Sequence, residues 1–297
     1  MGDLFYGWYM KCQSDTQTLA VIPALHRQKG KRSCSIQVIT DKEAFTAEFP
    51  ADAFSMKKGN ITIGKNRFGR QGISLQVRTP ELKIRGKLSF GSLSPLKYDI
   101  MGPFALVPFL ECRHSVWSMR HSVSGRVTVN GTDYIFRNAR GYWEGDRGRS
   151  FPKEYAWTQC CFRDGSLMLS VADIPLAGIH FTGIIGVVLW KGREYRLATY
   201  LGARAVKVER GLIRIVQRDL ELEVRLPEYA SCGLMAPRQG NMVRTIHESA
   251  AGRAFYRFRR AGQTLFAFKS NAASFEYEYP NTNEQGLQRI WDKSLTV

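Results

Sequence analysis

Apolar and polar residues alternate with a period of two along most of the chain, whereas a helical period of about 3.6 is nearly absent. In residues 220–226, Leu220, Leu222, Val224 and Leu226 fall on one side of an extended strand and Glu221, Glu223 and Arg225 on the other. That pattern predicts a strand with one wet face. Leu82, Ile84 and Leu88 oppose Lys83, Arg85 and Lys87 in the same way. Further short strands are expected over residues 5–11, 19–25, 34–39, 44–49, 73–77, 167–171, 195–200, 205–208, 254–259, 264–268 and 274–279, separated by polar turns. Asn130-Gly131, between residues 127–129 and 134–136, is the strongest short hairpin signal. Only residues 283–293 suggest a helix. The expected class is therefore all-β, built as barrels or sandwiches.

Two stretches depart from the alternation. Residues 100–114 are apolar but carry Pro103 and Pro108, which forbid a regular helix and a central strand. A lid or pocket wall is the functional expectation there, with Glu111 and His114 at its end. Residues 59–66 approach a phosphate-binding loop, but Asn66 stands where a magnesium-holding Ser or Thr is required. Ile61 and Ile63 also alternate as in a strand, so the loop is rejected.

Composition narrows the field. The chain of 297 residues is 44% hydrophobic and 12% aromatic, which supports a folded core and argues against disorder. Forty-three basic and twenty-six acidic residues give a net charge of +17. Such a surface attracts nucleic acid, anionic lipid or an acidic small molecule. The cations are spread along the chain, the densest run being residues 27–32, and no nucleic-acid-binding motif accompanies them. A specific nucleic-acid partner is thus not expected, and peripheral contact with an anionic membrane surface is. Six cysteines without a C-x-x-C pair, and no apolar signal core at the start, give the expectation of a reduced, cytoplasmic protein. The uncharged run 174–190 is interrupted by Pro175 and glycines and reads as strand, turn and strand. His114 and His121 lack a standard metal spacing, so no metal is assigned.

Residues 141–161, GYWEGDRGRSFPKEYAWTQCC, carry the candidate chemistry. Tyr142, Trp143, Tyr155 and Trp157 are mixed with Glu144, Asp146, Arg147 and Arg149 around a turn containing Phe151. Aromatic walls with a few fixed polar groups suit the mouth of an apolar pocket, although a charged connector with aromatic anchors has the same composition. On a strand, Glu144 and Asp146 would share a face, with Arg147 or Arg149 available to hold one of them ionised.

The segment resembles the signature of the tocopherol cyclase-like family, through Glu144, Asp146, Gly148, Phe151, Pro152, Trp157 and Gln159. Gly145 departs from the family Lys, Arg147 from its Trp, Tyr155 from the first Trp of the pair and Cys161 from its Asn. The Gly-Trp-Tyr-x-Lys cluster at residues 7–11, the run 101–114 and residues 242–249 add to the resemblance. It implies two lipocalin-like antiparallel barrels packed together, here divided as residues 1–140 and 141–297, with a pocket for a hydrophobic small molecule. It also implies cofactor-free, acid-catalysed cyclisation of a prenylated quinol or other isoprenoid, an intramolecular lyase or isomerase reaction. Glu144 and Asp146 are then the catalytic candidates. Trp8, Glu111, His114, Tyr142, Trp143, Arg147, Arg149, Phe151, Tyr155, Trp157 and Gln159 are the ligand-binding candidates. The alternative is a non-catalytic lipocalin-like binder of a hydrophobic, anionic molecule.

Overall fold

In the computed structural model, residues 3–108, 110–176, 179–209, 211–226, 232–238 and 241–279 are described. The alternating pattern becomes strands almost throughout. The first sheet takes β1 (Leu4–Gln13), β2 (Thr18–Gln28), β3 (Lys31–Thr40), β4 (Ala44–Pro50), β5 (Phe54–Lys57), β6 (Asn60–Ile63), β7 (Asn66–Gly69), β8 (Gly72–Arg78), β9 (Lys83–Phe90), β10 (Cys112–Val129) and β11 (Thr132–Gly148). The second takes β12 (Tyr155–Phe162), β13 (Gly165–Leu176), β14 (Ile179–Trp190), β15 (Arg193–Ala198), β16 (Arg204–Glu209), β17 (Leu212–Gln217), β18 (Leu220–Arg225), β19 (Cys232–Arg238), β20 (Asn241–Arg260) and β21 (Gln263–Tyr277). Short 3-10 turns supply the helical residues among those described, and no helix there is long and apolar enough to cross a membrane.

The strand order of the first sheet is β4-β3-β2-β1-β11-β10-β9-β8-β7-β6-β5, all antiparallel. Hairpins build it outward from one long-range pair, β1 with β11. Ile36 and Val38 of β3 and Ile61 and Ile63 of β6, far apart in that order, nevertheless share one core with Trp8, Met10, Phe68, Leu75, Leu88, Val127 and Trp143. Strands remote in the order can meet only if the sheet curls around its apolar face, which is a barrel-like closure. Gly86 and Gly125, with φ of +154° and +137°, lie where a Cβ would meet the neighbouring strand's backbone, Arg126 O at 2.2 Å and Lys87 O at 2.3 Å. Only glycine permits that close approach.

The second sheet runs β15-β14-β13-β12-β21-β20-β18-β17-β16, with β19 pairing β20 off this path. Its core gathers Leu167, Leu169, Val188, Leu197, Ile213, Ile215, Leu222, Tyr256 and Phe275, again from both ends of the order. Buried among them, the Thr158 and Tyr256 hydroxyls bond at 2.7 Å.

The chain divides into two compact units, Met1–Phe151 with Cys232–Ile246, and Pro152–Ser231 with His247–Val297. The division therefore falls after Phe151 rather than at residue 141. Residues 141–148 are the end of β11, paired with β1 on one side and β10 on the other, and stay with the first barrel.

Other sequence expectations meet the structure one by one. Asn130 and Gly131 turn the β10–β11 hairpin with φ of 47° and 86°. The rejected phosphate loop is the β6–β7 hairpin. Of the stretch 100–114, Gly102–Leu106 forms a 3-10 turn, and Cys112, Arg113 and His114 already belong to β10. The wet face expected of residues 220–226 needs correction. Glu223 is buried because its cross-strand partner is Arg257, whose Nη2 donates to it at 2.7 Å while Arg225 Nε donates at 2.8 Å. The suggested helix at residues 283–293 lies outside the described residues.

Candidate acid–base site

The pleat of β11 sends Trp143 into the first core and turns Tyr142, Glu144 and Asp146 to the reverse face of the sheet. On the neighbouring strand, His114 is the direct cross-strand partner of Asp146. The spacing of two between the carboxylates and the β10–β11 register thus assemble a triad from residues thirty-two positions apart in sequence. His114 Nδ1 lies 2.9 Å from Asp146 Oδ1, and Nε2 lies 3.0 Å from Glu144 Oε2. The first contact is a directed hydrogen bond; the second is close but poorly directed and acts as an ion pair. Tyr142 Oη donates a short hydrogen bond to Glu144 Oε2, and Cys112 Sγ donates to Asp146 Oδ1 at 3.4 Å.

Although it lies opposite the core, this face is not wet. The side chains of His114 and Glu144 are 9% and 5% exposed, against 23% for Asp146. Asp146 is the member most open to a ligand. Burial alone would lower the His114 pKa, but the charges of Asp146 and Glu144, with the Asp146 hydrogen bond, outweigh it and raise it well above the ordinary imidazole value. The triad is therefore an imidazolium clamped by two carboxylates. Lys11, the cross-strand partner of Tyr142, is buried on the same face.

The candidate residues divide among several places. His114, Tyr142, Glu144 and Asp146 come together. Trp8 and Trp143 belong to the core on the other side of the same sheet, Trp143 lying 5.4 Å from Trp117. Arg147 and Arg149 are exposed, so the cation that holds the carboxylates is His114 in their stead. Glu111 is exposed and contributes its carbonyl, which accepts the Arg149 N–H at 2.8 Å. Phe151 packs edge-on to Phe5 at 5.3 Å. Tyr155, Trp157 and Gln159 lie on one buried face of β12 in the second unit. There Tyr155 Oη donates to Glu276, and Gln159 Nε2 approaches Cys161 Sγ at 3.4 Å. Sequence reasoning missed Cys112 and Lys11, whose signal is only their two-residue spacing from His114 and Tyr9 along strands that place them on this face.

The departure at Gly145 has a steric cause. A Cβ there would lie 2.4 Å from Gly7 O and 2.7 Å from Trp117 Cζ3. The indole of Trp117 occupies the space that a longer side chain would need.

A nitrogen of His114 and one oxygen of each carboxylate lie within 4.8 Å of one another, a set that could ligate a cation. The two carboxylates, however, contact opposite nitrogens of the ring, and an ion bound by one nitrogen would leave the far carboxylate on the other side. The arrangement fits an ion triad better than a metal centre.

No family model and no curated protein matches this sequence. Solved structures do match the fold. The structure of CghA with Sch210972 has a TM-score of 0.60 at 8% identity, covering 95% of this chain and 90% of that one. A candidate AttH from Nitrosomonas europaea gives 0.52 at 10% identity, covering 94% and 93%. Kievitone hydratase from Nectria haematococca gives 0.50 at 7% identity, covering 93% and 89%. At these identities the likeness establishes a shared two-barrel, lipocalin-like fold.

Two predictions follow from the site and its surroundings. Gly145→Ala is expected to lower stability by about 1–3 kcal/mol through overpacking. Added Trp117→Ala should recover only part of the Gly145→Ala term, because the Gly7 carbonyl still obstructs; a double-mutant cycle by urea denaturation measures this. The second concerns pH. Burial lowers the pKa of His26 and of His121 to about 4, each neutral ring being held by a serine hydroxyl at 3.0 Å. Between pH 4 and 6.5 the unfolded chain binds more protons at these two positions, so stability rises with pH, by up to about 3 kcal/mol per histidine. At His114 the sign is opposite: its contribution is complete below 6.5 and is lost as pH rises toward its elevated folded value. Urea midpoints should therefore peak near pH 6.5 and fall on both sides, and His114→Gln should flatten the alkaline fall.

Proposed function

We propose that this protein is an acid–base enzyme that cyclises a prenylated quinol or related isoprenoid without a redox cofactor. The carrying observation is the buried triad of Glu144, His114 and Asp146, whose most exposed member is a carboxylate hydrogen-bonded to a protonated imidazole. His114 passes its Nδ1 proton to Asp146, and the resulting carboxylic acid protonates the chain double bond. The phenolic oxygen bonds to the carbocation so formed. Its proton goes to the Asp146 carboxylate and returns to His114, so the reaction is an isomerisation with no net proton change. Glu144 acts through His114, orienting the ring and stabilising its charge, while Tyr142 holds Glu144.

The fold supports the reading without deciding it. A related structure carries the name of a hydratase, and the same acid would serve addition of water to a double bond. The sequence resemblance to the tocopherol cyclase-like family favours ring closure, with Asp146 and Glu144 matched.

A second reading, a non-catalytic binder of a hydrophobic molecule, is favoured by the complete burial of Tyr142 and near-complete burial of Glu144. A purely structural ion triad would be sealed in this way. The readings separate on Asp146→Asn, assayed with a panel of prenylated quinols for turnover and for binding. The enzyme reading expects turnover to fall by roughly 10²–10⁴-fold with binding kept. Binding of the panel without turnover by the wild-type chain would establish the binder.

A further inference from the structure

The outer face of the first barrel carries a second feature, remote in register from the triad. Across β6, β7, β8, β9 and β10, the directly paired residues Thr62, Arg67, Ser74, Lys87 and Arg126 form one row. Two residues along, Gln76, Arg85 and Thr128 form the next, and Arg78 faces Lys83 beyond it. Alternation explains the arrangement, since Ile61, Phe68, Ile73, Leu75, Ile84 and Leu88 on the same strands point into the core. The cations Arg67, Arg78, Lys83, Arg85 and Lys87 are exposed. Asp133 pairs with Arg126, and Glu81 sits at the β8–β9 turn; these are the acids beside the patch among the described residues.

Like charges facing one another across strands cost stability unless a counter-charge offsets them. Arg78 opposite Lys83 is such a pair, and Lys87 opposite Arg126 is another, in which Asp133 offsets Arg126. The face is also concave. Thr62, Lys65, Arg67, Ser74, Gln76 and Lys87 are among the residues lining an open cavity of about 980 Å³. Its aromatic wall residue, Phe68, is buried in the core, leaving no stacking platform of the kind that single-stranded nucleic acid uses. At the adjoining edge of the sheet, the β5–β6 hairpin adds the exposed Lys57, on the same face as Thr62, and Lys58 at its turn.

We infer that this concave basic face docks the protein on an anionic membrane surface, a phospholipid headgroup seating in the cavity. The complementarity is electrostatic and the occupant is a lipid surface; the inference stands independently of the chemistry assigned to the triad.

The test is flotation or sedimentation with vesicles of phosphatidylcholine, with and without about 30% phosphatidylserine. Binding is expected only with phosphatidylserine and is expected to weaken with salt. Arg67→Gln combined with Lys87→Gln should reduce partitioning roughly thirty-fold. Lys31→Gln with Arg32→Gln, exposed cations on the β2–β3 hairpin, should leave it unchanged. Three results would overturn the inference. These are no binding to phosphatidylserine vesicles, equal loss in both pairs of variants, or binding of a single-stranded oligonucleotide with none to vesicles.

Discussion

The register of β10 against β11 is the constraint on which the site depends. Because strand side chains alternate, a slip of β10 by one residue would turn His114 to the opposite face, away from the carboxylates. The register is held on both sides, β11 pairing with β1 from Gly148 to Arg140 while β10 covers its other edge. Just past the triad the β10–β11 pairing shifts, between Val116 and Ser118 and again before His121. Trp117 falls in the first shift, and its ring lies over Gly145. The bulge and the missing side chain at Gly145 are one accommodation: the sheet bends there, the indole fills the bend, and the triad beyond it keeps its pairing.

The triad carries an energetic tension. Placing ionised groups away from water costs several kcal/mol per ion, and only close partners offset it. His114 meets that requirement from both nitrogens, Tyr142 adds a donor to Glu144, and Cys112 adds one to Asp146. The same contacts that make the group tolerable in the structure set its chemistry, because an imidazolium between two carboxylates has a proton to give and two places to put it. Glu223 offers a contrast. It too is buried between cations, but its partners are Arg225 of β18 and Arg257 of β20, and that cluster ties the two strands together.

Much of the fold was legible because it rests on local pattern. Period-two alternation marked the strands, Asn130-Gly131 marked a hairpin, and the spacing of Glu144 and Asp146 placed them on one face. What escaped was set by partners distant in sequence. His114 is a ligand-binding candidate by resemblance, but its role as the cation of the site, in place of Arg147 and Arg149, emerges only when β10 lies beside β11. Glu223 reads as solvated until Arg257 is found opposite it. The end of the first unit was misplaced for a related reason: the charged motif looks like a connector in sequence, but its first half is a strand paired on both edges. Trp8, a candidate by resemblance, and Trp143 both lie in the core of the first sheet, where the pleat puts them.

The protonation state of His114 decides whether the site is the proton store that the account requires. Nitrogen and carbon chemical shifts of the His114 ring, followed by NMR through a pH titration, read it directly. The account predicts that the ring keeps both protons well above pH 6.5 in the wild-type chain, and that Asp146→Asn lowers its midpoint. A wild-type ring that titrates at or below 6.5, unmoved by that substitution, would contradict it.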